Sequence, residues 1–449
     1  MISVIRPLSA RLAAIELPVL ALLVIGTIAV ERLLPAALSV AAFFWLVRWL
    51  AYGRPTVRTP GDWPIGLLLL MVPVTFWATA LPDVTRTEVL RLLMGLALYY
   101  AVANWTAAIA RLLLVAAGLA AAGLALAALA PFLGGLPAAS TLIPAGLVRV
   151  FQRLSSAVNP NVIAGALAVL APLAGALCLF PLPRRWLGVR MLGLVAALAM
   201  VGVAALTASR GAWMGLAAAG LVLIVLRWRR GWLALPLGAL MGGLVVWRIG
   251  IDHAAEVALA SQALGGADQR LEIWSRALYM LQDFPFTGIG MGAFRQVANL
   301  LYPFFLSGPD AEIPHAHNIF LQVGVDLGLP GLVAWLALLI LVCVCAWQVY
   351  RRGRRQGDAV LTALGAGLLA SQAALVVHGL TDTATWGTRP AVVVWVVWGL
   401  TMAALLVSSK PGTSEVPQPS DGCSSAATLS QECLPGSILE SPQNLRDSA

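Results

Sequence analysis

Two histidines stand two residues apart in Ile313-Pro314-His315-Ala316-His317-Asn318-Ile319-Phe320, where a polar segment gives way to a long apolar run. An imidazole titrates near neutral pH and can take a proton from a reacting hydroxyl. Five arginines share this kind of setting, beside apolar runs: Arg153 in FQRLSSAVNPN, Arg210 in TASRGAWMG, Arg270 in DQRLEIWSR, Arg295 in GIGMGAFRQ and Arg389 in WGTRP. A guanidinium stays charged and grips phosphate through paired N–H groups. Such groups at a membrane edge suit a lipid diphosphate, with His317 as the base and His315 in support. The plainer readings are that an arginine snorkels to headgroups or pairs with a carboxylate, and that His317 anchors the start of a helix. His253 and His378 are isolated and read as structural. Asp310, Glu312, His315 and His317 alternate closely enough to suggest a zinc or manganese site, but no second cluster has ligand spacing, so no metal and no cofactor is expected. No Walker loop, GxSxG, HExxH or DxD is present, which removes ATP hydrolysis, serine hydrolysis and metal-dependent nucleotide-sugar chemistry.

The elements that position these residues are apolar. Of 449 residues, 60% are hydrophobic and 11% charged, against about 25% charged in soluble domains. Runs long enough to cross a bilayer recur at 13–30, 33–50, 64–82, 92–110, 112–134, 159–181, 190–208, 211–227, 231–249, 317–350, 359–380 and 390–408. The fold class expected is therefore an all-α polytopic membrane protein of about twelve transmembrane helices. The tenth run carries Gly328, Pro330 and Gly331 and should begin with a broken or interfacial piece. With the N-terminus in the cytoplasm, arginine clusters fall at every second turn, as the positive-inside rule requires. The net charge of +9 then reports topology, and no nucleic acid is implied. One transmembrane domain, 1–408, includes a large extracytoplasmic loop, 250–316. Within the loop, Leu271, Trp274, Leu278 and Leu281 recur at helical spacing and predict an amphipathic helix over 268–284. The Ser-, Pro-, Gly- and Gln-rich stretch 409–449 reads as a disordered cytoplasmic tail. The five cysteines show neither a disulfide framework nor zinc spacing.

One signature goes further. His317-Asn318, nine residues, then Gly328-Leu329-Pro330-Gly331, with Ser209-Arg210-Gly211 upstream, resembles the O-antigen ligase family of bacterial membrane glycosyltransferases, relatives of O-antigen polymerases and O-linked oligosaccharyltransferases. The Arg270…Trp274 segment, GIGMGAF from Gly288 and VNPNVIAG from Val158 match as well, so the resemblance spans about Arg153 to Trp398. It implies a metal-independent, inverting transferase. Its donor would be a glycan on undecaprenyl diphosphate, its acceptor a lipid or glycan hydroxyl, and membrane lipids its other partners. His317 would be the general base and Arg210 a catalytic partner at the diphosphate. Arg270, Arg153, Arg295, His315 and Asn318 would bind substrate. Asp382, in GLTDTATW, would orient a side chain or pair with Arg389. The place implied is the bacterial inner membrane, with the site facing the periplasm. The alternatives are a polymerase or oligosaccharyltransferase of the same chemistry and, from a different class, a transporter. Charge gathered on one face argues against transport, which favours polar groups near mid-bilayer.

Overall fold

The computed structural model describes residues 2–133, 159–259, 267–306, 308 and 312–409. Arg153, Asp310 and the tail from Lys410 onward lie outside them. The described residues form helices α1 (Ile2–Ala13), α2 (Glu16–Ala29), α3 (Leu34–Tyr52), α4 (Asp62–Ala78), α5 (Pro82–Trp105), α6 (Ile109–Leu133), α7 (Pro160–Leu179) and α8 (Leu187–Leu206). They continue with α9 (Arg210–Arg227), α10 (Ala234–Ile249), α11 (Ile251–Leu259), α12 (Ala267–Asp283), α13 (Phe294–Leu301), α14 (Ile319–Gln356), α15 (Ala359–Gly379) and α16 (Val392–Ser408). No strand occurs among the described residues.

Local chemistry sets several ends. Asn159 accepts from the Asn161 N–H, and Pro160 opens α7 at a position that needs no backbone donor. Asp358 accepts from the Val360 and Leu361 N–H groups to start α15, and Gly357, left-handed, closes α14 before it.

Each of the twelve expected runs coincides with a helix. Nine are long and apolar enough to cross a membrane, or ten if Arg6–Ala13 and Glu16–Ile28, bent by 42°, make one span. Of the others, α4 has only 17 residues, and α5 opens on Asp83, Arg86, Glu88 and Arg91. The chain is thus a multi-pass membrane protein of all-helical architecture. In lipid the hydrophobic effect does not drive helices together, so small residues that permit close backbone contact do the work. The alanine-rich α7 shows this: 78% of its apolar window is buried, with α8 and α15 packed alongside it. By contrast α10 buries none of its window.

Two findings refine the expected elements. The amphipathic helix exists as α12, but the face it turns to the protein is Arg270, Ile273, Ala277 and Met280, with Leu271 and Leu278 exposed. The apolar arc of this helix is wide, and the buried side is the one that also carries Arg270 and Glu272. Second, the tenth run does break. Gly328 has φ +70° and ψ −178°, a region open to glycine alone. A Cβ there would stand 2.7 Å from the Phe286 carbonyl carbon. The Leu329 N–H, freed from the helix, donates to the Pro285 carbonyl at 2.6 Å, and Pro330 starts the next segment without a donor to satisfy.

Candidate active site

The segment before α14 brings the first histidines into place. Asn318 is the N-cap of α14, its side-chain oxygen accepting from Phe320 N at 3.0 Å and Leu321 N at 3.1 Å. Its amide nitrogen donates to the Leu380 carbonyl at 3.2 Å, which ties the start of α14 to the end of α15. One residue earlier, His317 is buried with φ +47°. A non-glycine residue held in the left-handed region costs on the order of 1–3 kcal/mol, and such strain clusters at functional sites.

The turn after α15 supplies the partner. Its backbone is folded by donation from Thr381 N and Asp382 N, both at 3.0 Å, to the His378 carbonyl. Thr383 N donates to Asp382 Oδ1 at 2.7 Å and sets the carboxylate. His317 Nδ1 then lies 3.5 Å from Asp382 Oδ1, and His315 Nε2 lies 3.9 Å from the same oxygen. The two imidazole rings are 4.1 Å apart between centroids. At 3.5 Å the His317–Asp382 contact is an ion-pair approach, longer than a good hydrogen bond. Both ring nitrogens of His317 therefore have no hydrogen-bond partner among the described residues.

Arg270 reaches the same turn from α12. It is buried, its Nη1 donates to the Thr381 carbonyl, and its Nε has no partner among the described residues. The SRG and VNPNVIAG segments are the walls. A Cβ at Gly211 would stand 2.2 Å from Thr381 Oγ1, and one at Gly165 would stand 2.6 Å from Ala384 Cβ and 2.8 Å from His378 Cε1. Only glycine lets α7 and α9 come this close to the turn.

The electrostatics are coupled. Burial alone would raise the Asp382 pKa, but His317, His315 and His378 around the carboxylate outweigh it and hold the group well below its usual range. Burial first, then the neighbouring His317, pushes His315 down to about 3, so it stays neutral at ordinary pH. Burial lowers Arg270 as well, opposed by the charge of Asp382.

Residues 195–336 match the family model described as O-Antigen ligase, about a third of the chain. This segment is similar to the O-antigen ligase family. A comparison with curated proteins finds no match. The matched segment of this ligase and polymerase superfamily contains Arg210, Arg270, Arg295, His315, His317 and Asn318 but not Asp382, which the fold brings in from beyond it.

The expected site residues of the O-antigen ligase segment divide accordingly. His315, His317 and Arg270 meet around Asp382. Arg210 begins α9 next to Gly211, half-buried rather than deeply enclosed, and its Nη1 donates to the Val257 carbonyl at 2.5 Å and the Glu256 carbonyl at 3.4 Å. It thus holds α11 and lies one residue from the glycine packed on Thr381. Arg295 is exposed on α13 and pairs with Glu312. Asn318 is a capping and bridging residue. Arg389 pairs with Glu31 at 3.8 Å, so of the two roles weighed for Asp382, orienting a side chain is the one the geometry serves.

His378, read as isolated, lies buried beside Asp382, with Nε2 unpartnered among the described residues. It stands immediately before GLTDTATW and four residues before Asp382, and that spacing was the available signal. Of the alternating set Asp310, Glu312, His315 and His317, Asp310 lies outside the described residues and Glu312 pairs with Arg295. Instead His315, His317 and Asp382 hold three ligand atoms within 4.8 Å of one another, close enough for a cation. The donor set is plausible, but the Arg270 guanidinium is fastened to Thr381, next to the carboxylate, where it already supplies a positive charge.

Proposed function

We propose that the chain is a glycosyltransferase of the bacterial cytoplasmic membrane that moves a glycan from undecaprenyl diphosphate to an acceptor hydroxyl, with twelve spans and the histidine end facing the periplasm. The observation that carries this reading is the buried pair His317 and Asp382, with an arginine at the same turn and both imidazole nitrogens unpartnered. His317 Nε2 accepts the proton of the acceptor hydroxyl as that oxygen attacks the anomeric carbon. A C–O bond forms to the acceptor, and the C–O bond to diphosphate breaks on the opposite face, which inverts the centre. The leaving diphosphate carries the charge and Arg270 and Arg210 receive it, so the step has no need of a metal. Asp382 faces the imidazolium as it forms and stabilises it.

The test is a transfer assay with purified protein, a glycan on undecaprenyl diphosphate, envelope extract as acceptor, and EDTA. His317→Ala should abolish release of undecaprenyl diphosphate while leaving donor binding intact, and EDTA should change nothing. Full activity in His317→Ala would end the base assignment. Loss on chelation would turn the His315, His317 and Asp382 cluster into a metal site. The glycosylated product would separate a ligase from a polymerase.

A further inference from the structure

The turn that carries Asp382 has two flanks. On one, Thr381 meets Arg270 and Gly211 of the SRG segment. On the other, Trp386, Gly387 and Arg389 wall a narrow cavity whose opposite side is α2 and α5. The cavity has room of about 40 Å³, enough for a water-sized group. Its polar side is a network: Arg91 bridges Glu31 and Glu88, and Arg389 joins at Glu31. One oxygen of Glu88, Oε2, is buried without a partner among the described residues. Glu31 and Leu34 also line a second, wider cavity of about 710 Å³, open to the surface. Arg32, Arg86 and Asp83 face it, and neither Arg32 nor Arg86 has a hydrogen bond or ion pair among the described residues.

An inverting displacement fixes where the nucleophile comes from: opposite the leaving group. With the diphosphate on the Arg210 and Arg270 flank, the other flank of the turn, walled by Trp386, Gly387 and Arg389, is the side left for the acceptor. The residues there suit a sugar. Paired arginines and carboxylates bind hydroxyls, an unpartnered carboxylate oxygen accepts one more hydrogen bond, and two free guanidiniums at the open end suit an anionic substituent.

We propose that these two cavities are the acceptor side of the site and take a phosphorylated glycan, a hydroxyl toward Glu88 and a phosphate on Arg32 and Arg86. The proposal rests on the transferase reading above. It assigns acceptor recognition to α2, α5 and the 386–389 turn, residues outside the matched family segment.

The experiment measures binding to full-length protein in nanodiscs of phosphatidylethanolamine. The probes are a fluorescent glycolipid with a phosphorylated oligosaccharide headgroup, its dephosphorylated form, and undecaprenyl diphosphate. The double variant Arg32→Gln/Arg86→Gln alters two exposed, unpartnered side chains and should leave the fold intact. Affinity for the phosphorylated probe should fall about tenfold or more, the loss of one good charged contact. The dephosphorylated probe and undecaprenyl diphosphate should bind the variant as they bind the wild type. Unchanged affinity for the phosphorylated probe, or no binding of it to wild type, overturns the proposal. So does equal competition by phosphatidylglycerol, which would make this a surface for bulk anionic lipid. Failure of wild type to bind undecaprenyl diphosphate is a separate result and strikes the transferase reading itself.

Discussion

Replacing Asp382 with Asn tests the arrangement most directly. The change removes a charge and keeps the shape, and the amide oxygen still accepts from Thr383 N, so the turn survives. What is lost is the attraction between carboxylate and imidazolium, which exists only once His317 has taken its proton. At 3.5 Å the Coulomb energy is about 4.7 kcal/mol for an effective dielectric of about 20, and about 1.2 kcal/mol in bulk water. Both groups are buried, so the first value is nearer, as an upper figure. Each 1.36 kcal/mol is tenfold in rate, which brackets the loss between about 8-fold and 3,000-fold. We expect kcat to fall about 10²- to 10³-fold, with donor KM within about threefold of wild type. Single-turnover transfer with saturating donor and acceptor gives the chemical step, and donor titration gives KM. A variant that keeps more than a third of wild-type kcat would refute the claim that Asp382 stabilises the protonated base. Wild-type kcat with a large rise in donor KM would instead make Asp382 part of the donor site.

Other outcomes follow from the same geometry. Trp386→Phe removes the indole N–H that donates to Asp326 Oδ2 at 2.8 Å and leaves a buried carboxylate oxygen short of a partner. It should cost about 1–3 kcal/mol of stability, seen as a lower melting temperature in detergent; an unchanged melting temperature would count against the network. Gly328→Ala should lose at least about 1–3 kcal/mol, since alanine fits neither the backbone angles nor the 2.7 Å gap to Phe286; wild-type expression and stability would show that the break relaxes freely. His315 has a folded pKa pushed down to about 3, against about 6.5 unfolded, so between these values the unfolded chain binds the extra proton and stability rises with pH. Thermal stability of the wild type should therefore drop as pH falls from about 6.5 toward 3, and His315→Gln should flatten that part of the profile. An identical slope in the variant would remove His315 from the coupled cluster.

Much of the architecture is readable from composition because lipid allows so few solutions: an apolar run of twenty residues has little choice but to be a helix. The break in α14 is equally local, since Gly-x-Pro-Gly inside an apolar run removes both a donor and a helical backbone. Other features are less accessible. Asp382 lies 65 residues from His317 in sequence, and nothing near it announces the contact; the pairing is made by Asn318 reaching Leu380 and by Gly211 and Gly165 pressing on the turn. Asn318 itself could have been recognised as a cap, since an Asn just before an apolar helical run is a standard start signal. Arg32 lies in the short link between α2 and α3, and Arg86 and Arg91 lie near the start of α5, each beside acidic neighbours; only the fold shows which of them those acids engage. The leucines mark the apolar character of α12, while the side it turns to the protein is the one that carries Arg270 and Glu272. Glu272 accepts from Phe305 N and Leu306 N, and Arg270 meets Thr381, contacts no periodicity can foresee.

The spacing of the signature has a physical meaning that ties these parts together. Asn318 fixes where α14 begins, and Gly328 fixes where its first piece ends. Between them, one face of the helix carries Gln322 and Asp326 a turn apart. Gln322 Oε1 accepts from Ala316 N at 2.8 Å, inside the HAHN segment, and its Nε2 donates to Asp326 Oδ1 at 2.9 Å. Asp326 in turn accepts from Gly292 N of the GIGMG loop at 3.2 Å and from Trp386 Nε1. Trp386 lies four residues after Asp382 on the same turn. The backbone that presents His317 and the turn that presents Asp382 are thus joined by a buried hydrogen-bonded path that does not pass through the His317–Asp382 contact. On the proposed reading that separation serves catalysis. A base whose partner is positioned by other bonds does not have to reorganise when it becomes charged, and stabilisation by prepositioned groups is the larger part of what such a site can supply. Nine residues between Asn318 and Gly328 are what it takes to place one cap, one glutamine, one carboxylate and one break along a short helix, each facing the element it must hold.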